Sequence, residues 1–375
     1  MRPRSQLLGA TRQTRRGFVR LALGGAVGLA AGCAPAAAPA PTKPAASATA
    51  PASPAPSAPP ATSGRPLDVV QRGNLRGITF AAAIAKARSY FEAEGIDDQE
   101  TIFGSGAEQT QAMAAGQIEV AASSNTAAFF NAIARGLRQP FVLDNWHLEP
   151  DDHSYMVVIR PDLVDTIKQI ADLKGRPNAT STPLRDGGSN FQAELMLRAS
   201  GVGFDEVPWE RLSFPDMLTA FANKSIDAAW MIEPFITLGK QRDLLAPWLS
   251  LGTYDPGAQI AGLVFSETFT KDRTDVARRW SVAYVRGLRD YDDFRNGKNR
   301  EVIAPILAAH TGLAPEVIDQ VGWAPLRPDG RLNVDSLMQQ QRQLLDWGTI
   351  QQVLPAEQIV DHQFVEYAVQ RLGPA

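Results

Sequence analysis

Downstream of Arg65 the hydrophobic positions alternate between two periods. Leu67-Asp68-Val69-Val70 reads as a first strand; Phe80, Ile84, Ala87 and Phe91 then fall at helical spacing, and Gly95 stops the helix. Gly104-Ser105-Gly106 opens a second helix that ends at Gly116. Ile118–Ala122 reads as a strand, and Ser124 or Asn125 caps a helix over Thr126–Leu137. Phe141–Asp144 and Tyr155–Ile159 follow as strands. After Pro161 the alternation restarts with a helix from Leu163 to Gly175, a strand near Asn178–Ser181, and a Gly-rich loop before the helix Asn190–Ser200. A strand over Val207–Leu212, a Ser213-capped helix Phe214–Asn223 and an apolar strand Ile226–Ile232 complete this part. Beyond Phe265 lie amphipathic helices over Asp272–Phe294, Arg300–His310, Val334–Trp347 and Ala356–Leu372. Such alternation predicts parallel sheets wrapped by helices.

This pattern divides into two α/β lobes, the second inserted into the first, with C-terminal helices closing lobe I. The expected boundaries are 66–160 plus 262–375 for lobe I and 161–261 for lobe II. The chain then crosses twice, near Arg160 and near Gly262, leaving a cleft with a hinge.

The first 65 residues follow other rules. Residues 1–32 hold six arginines and no acid. Thr14-Arg15-Arg16-Gly17-Phe18-Val19-Arg20 resembles the twin-arginine export signal. The uncharged run Leu21–Gly32 would span ~18 Å as a helix, short of a ~30 Å hydrocarbon core, and so fits a signal peptide. Leu29-Ala30-Ala31-Gly32-Cys33 resembles a bacterial lipobox, with Ala30 where that pattern prefers Leu, and implies lipidation of Cys33. Ala34–Gly64 contains thirteen Ala, nine Pro and seven Ser/Thr. Nothing there is larger than alanine except one lysine among the non-prolines and hydroxyl residues, so 33–65 is expected to be a disordered tether.

Charge and cysteine usage narrow the function. The chain carries 37 basic and 40 acidic residues; without the six arginines of the signal the remainder stands at net −9, which gives no footprint for nucleic acid. A single cysteine excludes a disulfide framework and a thiolate metal site. Four histidines without ligand spacing argue against a metal, and no cofactor is expected. No nucleophile elbow or P-loop is present, so the chain does not read as an enzyme.

Several stretches occur in one family's order: Tyr90-Phe91-Glu92-Ala93-Glu94-Gly95-Ile96, Phe103-Gly104-Ser105-Gly106-Ala107-Glu108, Gly116-Gln117-Ile118-Glu119-Val120-Ala121, Leu173-Lys174-Gly175, Phe214-Pro215-Asp216-Met217-Leu218 and Ser225–Phe235. Together they resemble the NMT1/THI5-like solute-binding proteins of ABC importers for nitrate, sulfonates and the thiamine pyrimidine precursor. The resemblance implies the type II periplasmic-binding fold and a non-catalytic receptor, expected as a monomer. It also implies delivery of a small molecule to a permease and its ATPase. Combined with the leader, it places the protein outside the cytoplasm on a lipid anchor. A solute sensor remains the alternative role.

Helix N-termini at a cleft present unpaired N–H groups. The candidate ligand contacts are therefore Asn74, Ser105, Ser123, Ser124, Asn125, Ser189 and Asn190, each of which would equally serve as a cap. Trp230 and Glu233 in Trp230-Met231-Ile232-Glu233-Pro234, with Trp146, supply flat faces and an acceptor suited to a heteroaromatic ring. Glu233 opposes an anion, which favours a vitamin or precursor of the pyrimidine or flavin kind over a sulfonate, taurine or nitrate. Replacing Cys33 by alanine is expected to move the exported protein from the membrane to the soluble fraction; immunoblotting of the two fractions checks this.

Overall fold

A computed structural model describes residues 66–75, 78–103 and 106–375; the leader, Cys33, the tether, Arg76 and Ser105 lie outside them. Ten strands form in chain order: β1 (Asp68–Leu75), β2 (Ile96–Phe103), β3 (Val120–Ser124), β4 (Phe141–His147), β5 (Tyr155–Ile159), β6 (Asn178–Thr180), β7 (Trp209–Arg211), β8 (Ala228–Ile232), β9 (Ala246–Ser250) and β10 (Gln259–Phe265). They make two five-stranded sheets, ordered β2-β1-β3-β10-β4 in lobe I and β7-β6-β8-β5-β9 in lobe II. The two orders correspond position by position, although no sequence repeat betrays it.

Neither sheet is wholly parallel. In lobe I β1 runs parallel to β2 and β3, whereas β10 is antiparallel to β3 and β4. In lobe II β6 runs parallel to β7 and β8, whereas β5 is antiparallel to β8 and β9. The reversed strand in each sheet is the one reached from the other lobe rather than through a helical crossover. Both are interior strands, buried on both faces, and their continuous apolar sequence follows from that position. This pairing also moves the expected boundaries. β5 belongs to lobe II and β10 to lobe I, so the crossings fall between His147 and Tyr155 and between Ser250 and Gln259.

Two expected helices differ as well. Residues 163–173 form 3-10 turns at Pro161–Leu163 and Ile170–Leu173. Val164, Thr166 and Ile167 are poor helix formers, and the Asp172 carboxylate draws in the N–H groups of Lys168 and Gln169 at 2.9 and 3.1 Å. The helix expected over Ala356–Leu372 is divided into Ala356–Ile359 and Gln363–Leu372, because Val360 turns extended to bridge Phe141.

Lobe I is organised on the helix Thr274–Arg295, whose Trp280 is fully buried against Phe91, Phe265 and Tyr284 with ring centroids 5.2–5.6 Å apart. Helices Val334–Asp346 and Gln363–Leu372 close the same lobe. No helix among the described residues is long and apolar enough to cross a membrane.

The helices Phe80–Ala87 and Thr274–Arg295 meet at Gly287, where an added Cβ would run into the Ala81 carbonyl oxygen. Alanine in place of glycine gains about 1 kcal/mol of helix propensity, but overpacking costs about 1–3 kcal/mol. Gly287→Ala is therefore expected to lower stability on balance, as a reduced denaturation midpoint in urea.

Candidate functional site

The loop that leaves the carboxyl end of β3 meets the loop that leaves β6, on the side where open α/β sheets place ligands. The lobes touch across this cleft at two ends. At one end Thr126 bridges Gly187, and the Ala127 N–H donates to the Asp186 carbonyl at 2.9 Å. At the other end Glu233 accepts from the Gly322 N–H at 3.1 Å, and Thr237 Oγ1 donates to the Gln320 carbonyl at 3.2 Å.

Next to the second contact is an apolar pocket. Ile78, Phe80, Trp146 and Trp323 line it from lobe I and Ile232 and Pro234 from lobe II, with Asn145, Ser154, Glu233 and Thr311 as its polar groups. Its volume is ≈ 40 Å³, room for only a few water molecules. A larger depression of ≈ 700 Å³ lies away from the cleft, at the far end of the helix Ala127–Ala134, lined by residues such as Arg138, Glu267 and Asp361. It is open and its cations pair with Glu267.

Trp146 and Glu233 are the predicted residues that line the pocket. Trp146 sits on β4, its ring 5.6 Å from Tyr155 and its Nε1 buried without an acceptor. The Glu233 carboxylate also accepts from the N–H and Oγ1 of Thr237, at 3.0 and 2.8 Å, which caps the helix Phe235–Gln241. Burial outweighs these bonds and raises its pKa.

The other predicted residues have structural positions. Trp230 is fully buried in the core of lobe II, its ring 4.8 Å from Trp209, and presents no face to the cleft. Alternation along β8 puts it among the helices of that lobe, which corrects the expectation of a stacking surface. Asn74 lies within β1, fully buried, and donates to Glu100 at 2.7 Å. Asn125 is buried and donates to the Gln259 carbonyl and to Gln340 Oε1; the cap of the helix Ala127–Ala134 is Thr126, not Ser124 or Asn125. Ser123 and Ser124 end β3, half-buried and exposed respectively. Asn190 is buried and donates to Thr182 Oγ1 and the Pro183 carbonyl, at 2.6 and 2.8 Å, shaping its own loop. Ser189 begins the helix Ser189–Ala199, and its side chain lies outside the description.

Sequence reasoning missed Phe80, Asn145, Ser154 and Trp323. For Trp323 the available signal was a tryptophan in the loop Gln320-Val321-Gly322-Trp323. Its Nε1 donates to the Ile318 carbonyl at 3.0 Å, and Phe80 meets its ring edge-on at 5.3 Å. Arg72, a strong cation in lobe I, is neutralised. It is buried and bonded to Asp98 at 2.9 Å and Glu100 at 2.7 Å. Burial alone would raise the Glu100 pKa, but Arg72 outweighs it and holds it below the usual value. Among the described residues no group of three metal-ligating side chains gathers.

A family model described as NMT1/THI5 like matches residues 80–291, more than half of the chain. Solved structures share the fold. The alkanesulfonate-binding protein SsuA of Xanthomonas axonopodis pv. citri, bound to MOPS, aligns at 15% identity and TM-score 0.62, over 80% of this chain and 100% of its own. The periplasmic nitrate-binding protein NrtA of Synechocystis PCC 6803 aligns at 12% and 0.64, over 82% and 89%. The desulfurization enzyme DSZB aligns at 17% and 0.60, over 81% and 99%. No curated protein matches. These likenesses establish the type II periplasmic-binding fold.

Asp152, in the first crossing, holds Ser154 at the pocket wall by accepting from its N–H and Oγ at 2.7 and 2.9 Å. Burial outweighs both bonds and pushes its pKa up from 3.8 to about 6. A carboxyl raised on folding contributes stability that is complete below the unfolded value and lost as pH rises through the folded one. Asp152→Asn is therefore expected to gain stability relative to the parent as pH rises from about 4 to about 6, and to hold a constant difference above that. Urea unfolding across this range checks it.

Proposed function

The chain belongs to the NMT1/THI5-like family, a family of ABC-importer solute-binding proteins, and from this premise we propose that its cargo is a small uncharged or weakly basic heteroaromatic molecule. The observation that carries this reading is the pocket wall. Phe80, Trp146 and Trp323 supply aromatic surface, Trp146 Nε1 offers an unused donor for a ring nitrogen or carbonyl, and Glu233 is the only formally charged group among the described lining residues. A thiamine pyrimidine precursor fits this chemistry; a flavin is a larger molecule of the same class.

A sulfonate or nitrate is the second reading, favoured by what SsuA and NrtA bind. It would need a free cation, and the described lining offers none. The receptor reading extends to a monomer exported through the twin-arginine signal, tethered by lipid at Cys33 and docking on a permease with its ATPase. The fold is shared with an enzyme, so a non-catalytic role rests on family membership; chemical change of the cargo on binding would overturn it.

Titration of the exported chain with riboflavin and the thiamine pyrimidine precursor is expected to quench tryptophan fluorescence saturably, and methanesulfonate and nitrate are not. Trp146→Ala should weaken the aromatic ligand's binding more than about tenfold, or about 1.4 kcal/mol. Saturable quenching by the two anions alone would overturn the cargo class.

A further inference from the structure

Most polar side chains of the apolar pocket are already engaged. Trp323 Nε1 donates to the Ile318 carbonyl, and Thr311 Oγ1 donates to the Leu307 carbonyl at 2.7 Å while accepting from the Leu313 N–H at 3.3 Å. Asn145 Oδ1 accepts from the Tyr284 hydroxyl at 3.0 Å, and one hydrogen of its Nδ2 goes to the Ile78 carbonyl at 3.2 Å. Glu233 fills three of its roughly four acceptor positions with the Gly322 N–H and the two donors of Thr237. Donors therefore remain at Asn145, which keeps a second N–H, and at Trp146 Nε1.

Ser154 supplies the opposite polarity. It lines the pocket just before β5; its N–H donates to Asp152 Oδ1 at 2.7 Å, its Oγ to Asp152 Oδ2 at 2.9 Å, and its carbonyl accepts from the Glu233 N–H at 2.9 Å. A hydroxyl has one hydrogen and two lone pairs, and an ionised carboxylate only accepts. The hydrogen therefore belongs to Asp152, and Ser154 Oγ has only lone pairs left for a ligand. Asp152 itself shares a depression of ≈ 300 Å³ with Asp151, His153, Arg295, Arg300 and Asp319. The two arginines there are committed, Arg295 to Glu149 at 2.9 Å and Arg300 to Asp319. Tyr291, on the same helix as Arg295, donates to the Ala324 carbonyl at 2.8 Å.

We propose that Ser154 is a specificity-determining residue and Asp152 its positioning residue: by taking the hydroxyl hydrogen, Asp152 makes Ser154 Oγ an acceptor that selects a neutral ring carrying an N–H donor beside its own acceptor. The inference rests on the reading of this pocket as the cargo site. A ring methylated at that nitrogen, or an anion with acceptors only, would set lone pairs against lone pairs. Protonation of Asp152, whose pKa burial raises to about 6, reverses the bond. The acid then donates to Oγ, and the serine hydrogen is released for the ligand.

The test is calorimetry on the full chain with two neutral probes that do not titrate across the range used, 2-pyridone and N-methyl-2-pyridone. At pH about 7.5 the parent is expected to bind 2-pyridone at least about tenfold more tightly, and the preference is expected to fall away as pH drops through about 6. Ser154→Ala should bind the two probes within about twofold of each other on both sides of that pH. Asp152→Asn, whose amide nitrogen can donate to Oγ, should lose the preference at every pH and serves where the alanine variant does not fold. Equal binding of the probes by the parent at the higher pH would overturn the proposal and leave the cargo class standing, as would a preference that survives in folded Ser154→Ala. Binding of methanesulfonate where neither ring binds would overturn the cargo class, and the role of Ser154 with it.

Discussion

The chain crosses between two sheets twice, and the two crossings are bonded to one another. Leu148 donates to the Ala258 carbonyl at 2.9 Å and accepts from the Gly257 N–H at 2.8 Å. Just inside lobe I, Gln259 Nε2 reaches Asp144 Oδ1, the Trp146 carbonyl and the Ala261 carbonyl, while Asp144 Oδ2 accepts from the Arg327 N–H at 2.7 Å. These buried bonds lock the ends of β4 and β10 together. Trp146 sits on the locked side and Ser154 on the other, so the pocket wall is built from both sides of the first crossing.

A second constraint is electrostatic. A buried cation survives only when paired, and lobe I meets this for Arg72 with two carboxylates from β2 and the Thr79 hydroxyl, while Trp280 Nε1 satisfies Asp98 from the other side. The cation is thus spent on joining β1 to β2. The Ala127 amide is spent on the Asp186 main chain. The apolar pocket keeps its aromatic surface and the unused Trp146 donor beside Asn145, Ser154, Thr311 and Glu233.

These same pairings decide how much could be read from the sequence. Ser213 before Phe214-Pro215 announced a capped helix, and Ile226–Ile232 announced a buried strand, because local chemistry and tertiary position agree there. β2 was not legible: Ile96-Asp97-Asp98-Gln99-Glu100-Thr101-Ile102-Phe103 looks like loop until Arg72 is known to face Asp98 and Glu100. β9, with Pro247 at a register shift, is concealed in the same way. The helix over Ala356–Leu372 is interrupted by a bridge to a residue more than two hundred positions earlier, which no window could show. Trp146 and Glu233, singled out from the sequence, both line the apolar pocket. Which tryptophan lines it depends on strand register and on a loop after residue 311, and so Trp230 is in the core while Trp323 is at the pocket wall.

The closed form also limits what can drive closure. The first interlobe contact is main chain to main chain, and the second places the Glu233 carboxylate of lobe II on the Gly322 amide of lobe I. Burial raises the Glu233 pKa above its ordinary value, so the folded state disfavours its ionised form. At neutral pH this carboxylate therefore fixes how the lobes meet without supplying the free energy that holds them together. The remaining source is apolar burial, at about 25 cal/mol per Å² removed from water. Phe80, Trp146, Ile232 and Trp323 hold that surface, and a flat aromatic cargo buried between them would cover far more of it than nitrate could.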